Sequence, residues 1–456
     1  MRRFQWTMTL GSPWVLGILL GILFFTRSYF AIDPDFGWHL MAGRYIIAHG
    51  IPSHDIFTFS AAQFPWIDHE WLADVILAGV YQIGGYALLA GGYAFLWWGA
   101  FKLVTKNNPL AIVTLIGAVV ALPFAGVRAV TWTVFLLAVL YRLLASTDKR
   151  WQTAIPFLIA LWANLHGGFV IGLAYVAWMA LVGRSRRLFI VLLISVVATF
   201  VNPYSANLYV EVWRTLSDTS LHTTIEEWQS WIVTIELSVL AGIWTATRII
   251  TKKKLVKAIV SFDTLLLLAT ISSVRNTPLF ALFATATIVA ALRHALTAVG
   301  GLDVLTARLY PIRRAVFVTV IAIMLVIGYT VVDSFSSAAL QPETKYPETI
   351  ASALQARPCS GHLFNSYNVG GYLIWRAPAT KVYIDGRMPS WSYNGIKYMD
   401  DYVSIVKDDA VMKRQFQRLS ITCVVFATDT PFVKRLEAQG WHQDVVDRSG
   451  YTLLRK

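Results

Sequence analysis

The sequence predicts a polytopic α-helical membrane protein with a small α/β domain at its C-terminal end. Hydrophobic residues make up 56% of the chain and charged residues only 14%, against roughly 25% charged in a soluble domain. Apolar runs of helix-spanning length recur from residue 13 to residue 333. After about Leu340 the pattern changes to short alternating strands and helices. A soluble fold could not cover so much apolar surface, so lipid is the solvent for most of it. The 18 tryptophans suit side chains that sit at the membrane–water boundary.

The elements follow in order. Arg2 and Arg3 precede an apolar run over 13–32. That run is too long for a signal-peptide core and no small-residue cleavage site follows it, so it reads as a retained first helix. A polar outer loop follows over about 33–70. Further apolar runs lie at 84–104, 109–126, 129–145, 153–166, 167–183, 188–201, 233–250, 259–274, 278–293 and 314–333. Together they predict about eleven transmembrane helices.

The net charge of +13 reads as topology. Lys102, Lys106, Lys149, Arg150, Arg184, Arg186, Arg187, Lys252, Lys253, Lys254, Lys257, Arg308, Arg313 and Arg314 fall in alternate loops on the side of the N-terminus. Few basic residues fall in the loops of the other side: Arg44, Arg128, Arg214 and Arg275. This bias puts the N-terminus in the cytoplasm, and an odd number of crossings puts the C-terminal domain outside the plasma (inner) membrane. Aromatic and basic residues do not interleave in a soluble stretch, so nucleic acid is not an expected partner.

The division is therefore 1–339 for the transmembrane domain and 340–456 for an extracytoplasmic α/β domain. Its expected strands are His362–Asn365, Lys381–Asp385, Thr422–Ala427 and Tyr451–Leu454, with helices near 371–376, 408–419 and 430–439. Cys359 and Cys423 are either a disulfide or two separately buried thiols.

Topology gives the main functional clue. The polar clusters are Asp33–His39, Asp68–Trp71, Arg128, Asn164–Gly168, Asn202–Tyr204, Glu226–Trp231 and Arg275–Pro278. All fall at one expected surface, which points to a site there. Asp33 and Asp35 have the spacing to hold a divalent cation such as Mg²⁺ or Mn²⁺. Either carboxylate can instead act as a general base, or Asp33 can cap the helix that follows, with Pro34 at its first position. Asp35 and His39 fall four apart on one helix face. Asp68 reads as another cap, whereas His69 and Glu70 fall close to the acidic pair if the loop folds back. His166 sits between glycines that can admit a ligand to the backbone, or it is a solvated turn residue. Arg128 and Arg275 suit a phosphate headgroup of a substrate or of ordinary lipid. Glu226 and Glu227 read as a solvated loop, and Gly370–Gly371 and Asp385–Gly386 as turn chemistry.

The layout resembles the C-type (GT-C) membrane glycosyltransferases: a basic N-terminus, one helix, an acidic outer loop, many helices and an outer domain. The wording DPDFGWHLMAGRYI, IP-x-x-D, DHEWL, NLHGG, NPY, GGYLIW and IDGR also resembles a group of bacterial membrane proteins of poorly defined function. The WWD-type motif of oligosaccharyltransferases and the paired Asp–Glu of the protein mannosyltransferases are not found. The resemblance implies an inverting cell-envelope glycosyltransferase with a polyprenyl-phosphate-linked sugar donor and an unidentified acceptor. In it, Asp33 and Asp35 are catalytic and metal-binding, and His39, His69, Glu70, Arg128, His166 and Arg275 bind substrate. The alternatives are a lipid-linked sugar transporter or flippase, and a non-catalytic assembly or binding protein acting through its outer domain.

Overall fold

The structure is a computed structural model that describes residues 13–106, 111–230, 234–251, 260–299 and 345–456. The expected helix over 314–333, the start of the outer domain near Leu340, and the basic residues Arg2, Arg3, Lys252–Lys254, Lys257, Arg308, Arg313 and Arg314 lie outside the described residues.

In chain order the helices are α1 (Pro13–Phe30), α2 (Phe36–His49), α3 (Trp71–Val104), α4 (Ala111–Ala121), α5 (Val130–Leu144), α6 (Ile155–Leu165), α7 (Phe169–Val182), α8 (Arg186–Ala198) and α9 (Asn207–Ser217). They continue with α10 (Leu221–Thr224), α11 (Ile235–Thr251), α12 (Phe262–Ser272) and α13 (Thr277–Val299). The apolar runs within the described residues are largely helical, but eleven crossings are not confirmed. Among the described residues only Trp71–Val104 and Val274–Ala298 are long and apolar enough to cross a bilayer. The others are shorter, and at 1.5 Å per residue a helix of 11 residues such as α6 falls well short of the roughly 30 Å of a hydrocarbon core. Helix α3 is two helices joined at a kink, where Gly85 takes φ +62°. The kink falls where the second apolar run was expected to begin.

The chain divides into two compact units. The first contains Met1–Tyr29, Ala90–Thr199 and His222–Ala338. Its core is aromatic and aliphatic, with Trp97, Trp162 and Phe280 fully buried. The two indoles are satisfied by threonines: Trp97 Nε1 donates to Thr131 Oγ1 and Trp162 Nε1 to Thr133 Oγ1, each at 3.0 Å. A buried indole N–H without such a partner would be costly.

The second unit contains Phe30–Leu89, Phe200–Leu221 and Ala339–Lys456. The first outer loop thus folds with the C-terminal region. That region is α/β, with β1 (His362–Asn365), β2 (Ser392–Tyr393), β3 (Ile396–Lys397), β4 (Ile421–Ala427), β5 (His442–Val446) and β6 (Tyr451–Arg455). The main sheet runs β1-β4-β6-β5, with β1 parallel to β4 and the other pairs antiparallel. Helices α14 (Glu348–Ala356), α15 (Gly370–Arg376), α16 (Tyr398–Lys407), α17 (Asp409–Arg418) and α18 (Pro431–Ala438) complete it. Cys359 and Cys423 are joined as a disulfide.

Lys381–Asp385 is not a strand of this sheet. Its backbone is held by the buried Asn365 side chain, which accepts from Tyr383 N–H at 2.7 Å and donates to Ile384 O at 2.8 Å. Val382 exchanges hydrogen bonds with Phe57 and Phe59 of the first loop. An amide side chain and a distant loop therefore take the place of a neighbouring strand.

Candidate functional site

The acidic turn ahead of α2 is built by Asp33. Its Oδ1 accepts from the Asp35 N–H at 2.8 Å and its backbone oxygen from the Phe36 N–H at 3.1 Å. Asp33 thus closes an Asx turn. Asp35 precedes the first helical turn, and its side chain makes no capping bond. The helix starts at Phe36 with Asp35 at its N-cap position, so Asp33 is not the cap that was considered and Pro34 is not the first helical residue.

That carboxylate is seated against Gly386. A Cβ at this glycine would fall 1.8 Å from Asp35 Oδ1. Any side chain there would displace the carboxylate, so Asp385–Gly386 is more than turn chemistry. A Cβ on Gly37 would likewise fall 2.0 Å from the Gly371 carbonyl oxygen. Helices α2 and α15 therefore meet backbone to backbone, locked by Phe36 packing edge-on against Trp375 at 5.2 Å. Two glycine-bearing motifs, widely separated in sequence, hold the same turn.

One helical turn beyond Asp35, the buried His39 ring stacks on Trp38 at 3.5 Å. His39 Nδ1 lies 2.6 Å from Asp74 Oδ1, and its Nε2 lies 3.5 Å from Glu70 Oε2. His69 Nε2 lies 3.5 Å from Glu70 Oε1. His39, His69 and Glu70 are thus brought together, joined by Asp68 and Asp74. Asp74 was hidden at the start of a largely apolar helix. The signal available was an acid four residues after Glu70, on the same helix face.

This cluster holds more carboxyls than cations. Asp68 is 2% exposed and Asp74 fully buried, and no partner is found for Asp68 Oδ2 or Asp74 Oδ2. Desolvation raises the Asp68 carboxyl well above its usual range, and the nearby charges of Asp74 and Glu70 raise it further. The two carboxyls act on each other as near neighbours. Burial alone would lower the His69 imidazole, but Glu70, Glu211 and Asp68 outweigh it and bring it to about 9. Burial raises Glu211, opposed by His69 and Arg214.

Beside it lies a cluster built on a fixed cation. Arg387 donates from Nε to Asp385 Oδ1 at 2.8 Å, and its Nη1 lies 2.7 Å from Asp55 Oδ1. Phe57, Trp66 and Trp391 surround the guanidinium at 4.5 to 5.1 Å. Burial alone would lower its pKa, but the two carboxylates hold it above the ordinary value.

Arg128, His166 and Arg275 belong to the other unit. Arg128 is ion-paired with Glu227. Burial would raise the Glu227 carboxyl, but Arg128 and Arg275 hold it below its usual range. Arg275 lies over the Trp228 ring at 4.4 Å. Glu227 and Trp228 of this turn therefore engage the two arginines, while the Glu227 side chain stays 45% exposed. His166 is only 8% exposed. Its Nδ1 is 2.7 Å from Thr133 Oγ1 and accepts from the Gly168 N–H at 2.9 Å. It is a buried residue tying a turn to α5, not a solvated one.

No group of three or more His, Cys, Asp or Glu side chains arranged to hold a metal ion is found among the described residues. A cation at Asp33 and Asp35 would depend on oxygens brought by a substrate. Such sharing is usual for Mg²⁺, which takes one or two carboxylates together with substrate phosphates.

No family model and no curated protein matches the sequence. Solved structures do match. The archaeal oligosaccharyltransferase AglB from Archaeoglobus fulgidus, in complex with an inhibitory peptide and a dolichol-phosphate, superposes with a TM-score of 0.61 at 12% identity. That match covers 92% of this chain and 70% of the archaeal one. ArnT from Cupriavidus metallidurans, in the apo state, superposes with a TM-score of 0.54 at 14% identity, covering 96% of this chain and 97% of ArnT. Both are GT-C membrane glycosyltransferases, and the fold of this chain is the GT-C fold.

Proposed function

We propose that this protein is an inverting GT-C glycosyltransferase of the plasma (inner) membrane. It moves a sugar from a polyprenyl-phosphate-linked donor to an acceptor on the extracytoplasmic face. The observation that carries the reading is the Asp35 carboxylate, held at the mouth of α2 by an Asx turn on one side and by Gly386 on the other. The neighbours support the donor class: the A. fulgidus enzyme has been captured with a dolichol-phosphate.

In this proposal Asp35 accepts the proton of the acceptor hydroxyl as its oxygen bonds to the anomeric carbon. The bond from that carbon to the donor phosphate breaks, and the lipid phosphate leaves with the electron pair. The charge that develops on this phosphate calls for electrostatic stabilisation. Mg²⁺ or Mn²⁺ held by Asp35, Asp33 and phosphate oxygens would supply Lewis-acid stabilisation of the same charge. His39, His69 and Glu70 line the acceptor side and fix the hydrogen-bonding pattern one turn from Asp35. Because Gly371 and Gly386 help to hold the acidic turn, the C-terminal region is part of the site rather than a separate binding module.

The test is native mass spectrometry of the detergent-purified chain, titrated with polyprenyl phosphate and Mg²⁺. The wild type is expected to retain the lipid phosphate with a cation effect that Asp35→Asn loses. Binding no better than that of bulk phospholipid would overturn the donor assignment. Full transfer activity in both Asp33→Asn and Asp35→Asn, once a donor is in hand, would overturn the catalytic one.

A further inference from the structure

The first unit carries a second feature, which does not depend on the transfer reaction. Helices α7 and α8 are joined by a tight connection and enclose a cleft of 540 Å³. Its walls are apolar, including Ala177 and Leu181 from α7 and Phe189 and Ile190 from α8. Leu181, Phe189 and Ile190 are more than half exposed, as suits a surface facing acyl chains. At the connecting end the lining changes abruptly to Arg184 and Arg186.

These arginines are not there to pair with the protein. Among the described residues no ion pair is formed by either, and the nearby Asp148 is held by Arg150. Arg184 also occupies a strained position, with φ +47°. It sits just past the end of α7, where its N–H reaches Leu181 O and the next N–H reaches Ala180 O. Helices that end this way favour glycine at the left-handed residue, and here glycine stands one position earlier, at Gly183. A charged side chain kept in a conformation that glycine adopts without strain is an outlier that prompts the question of a function.

We propose that this cleft binds one anionic phospholipid, with acyl chains along α7 and α8 and the phosphate between Arg184 and Arg186. Charge complementarity selects the headgroup, and the apolar walls demand a lipid rather than a free phosphate.

The experiment is native mass spectrometry of the full chain in detergent, titrated with phosphatidylglycerol or phosphatidylcholine. Two arginines near a membrane surface together give a preference of about 30-fold for the anionic lipid. Arg184→Gly is expected to lower that preference about fivefold while raising the thermal midpoint, because it relieves the backbone. A residue that served stability alone would not split the two readouts. Arg186→Gln is expected to lower it by a similar factor, and the double variant to abolish it. Ala177→Phe, which fills the cleft and leaves the charge intact, is expected to remove tight binding. If it fails to fold, the arginine variants still decide. A preference unchanged in the double variant would overturn the proposal, as would tight binding that survives Ala177→Phe. Displacement of phosphatidylglycerol by equimolar polyprenyl phosphate would also overturn it, reassigning the cleft to the donor lipid.

Discussion

Two buried polar clusters of the second unit are built on opposite principles. Around Arg387, one guanidinium meets two carboxylates, Asp385 and Asp55, inside a wall of aromatic rings. Around His39, the carboxyls of Asp68, Glu70 and Asp74 lie against the imidazoles of His39 and His69. The first has a fixed cation and a hydrogen-bonded fork, which makes it a structural rivet. The second balances its charge only by taking up protons, so it responds to pH and to whatever approaches. A buried cluster built on a fixed cation holds the fold, and one built on titratable groups keeps chemistry available.

The largest effect should come from breaking the rivet. Arg387→Met leaves two fully buried carboxylates uncompensated and is expected to cost about 3–5 kcal/mol, read as a lowered thermal midpoint in detergent. Arg387→Lys should recover part of this. Recovery to the wild-type value would show that the fork geometry is immaterial.

Gly386→Ala comes next. Its Cβ would fall on the Asp35 carboxylate, so transfer activity is expected to drop about 100-fold, as for a misplaced catalytic group. The thermal midpoint should fall less than in Arg387→Met. A variant with normal activity would remove Asp35 from the reaction.

Asp68→Asn probes the titratable cluster. The folded-state pKa of Asp68 is raised, so its contribution to stability is complete below the unfolded carboxyl value and is lost as pH rises through the folded one. The variant should therefore be more stable than the wild type at neutral and alkaline pH, and this gain should vanish in acid. A pH-independent difference would refute the raised Asp68 carboxyl.

The smallest effect belongs to His69, whose side chain is 35% exposed and screened accordingly. Its pKa of about 9 lies above its ordinary value of 6.5. Its stabilisation is thus present below pH 6.5 and lost as pH rises through about 9. His69→Gln should be less stable than the wild type at pH 6 and indistinguishable from it above pH 9.5 or so, which a pair of thermal melts would decide.

Much of this architecture can be read in the residues. The strands at His362, Thr422 and Tyr451 announce themselves by buried β-branched and aromatic runs, and β1, β4 and β6 lie there. Strand β5 does not, because four of its five residues are exposed and show no apolar alternation. Lys381–Asp385 has a strand's composition, yet its hydrogen-bond partners are Asn365 and Phe57–Phe59. No local pattern encodes a partnership with a residue more than 300 positions away. The acidic turn, His39, His69 and Glu70 stood out as polar residues beside apolar runs. Arg387 looked like the end of an ordinary turn, because neither its aromatic enclosure nor Asp55 is visible along the chain. The helix count is not confirmed, since apolar length in sequence does not show where a helix breaks.

The acidic turn is also a matter of timing. Its supports, Gly371 and Gly386, leave the ribosome some 350 residues after Asp35 does, which at ordinary elongation rates is a delay of roughly 20–70 s. Through that interval Asp33, Asp35 and the loop behind them wait without the backbone that holds them. The site is therefore assembled only as the chain nears completion, so a prematurely released fragment would insert its helices and still carry no organised acidic centre. The same separation makes these contacts costly to close, and a cell has every reason to keep the waiting loop away from other chains until its C-terminal half arrives.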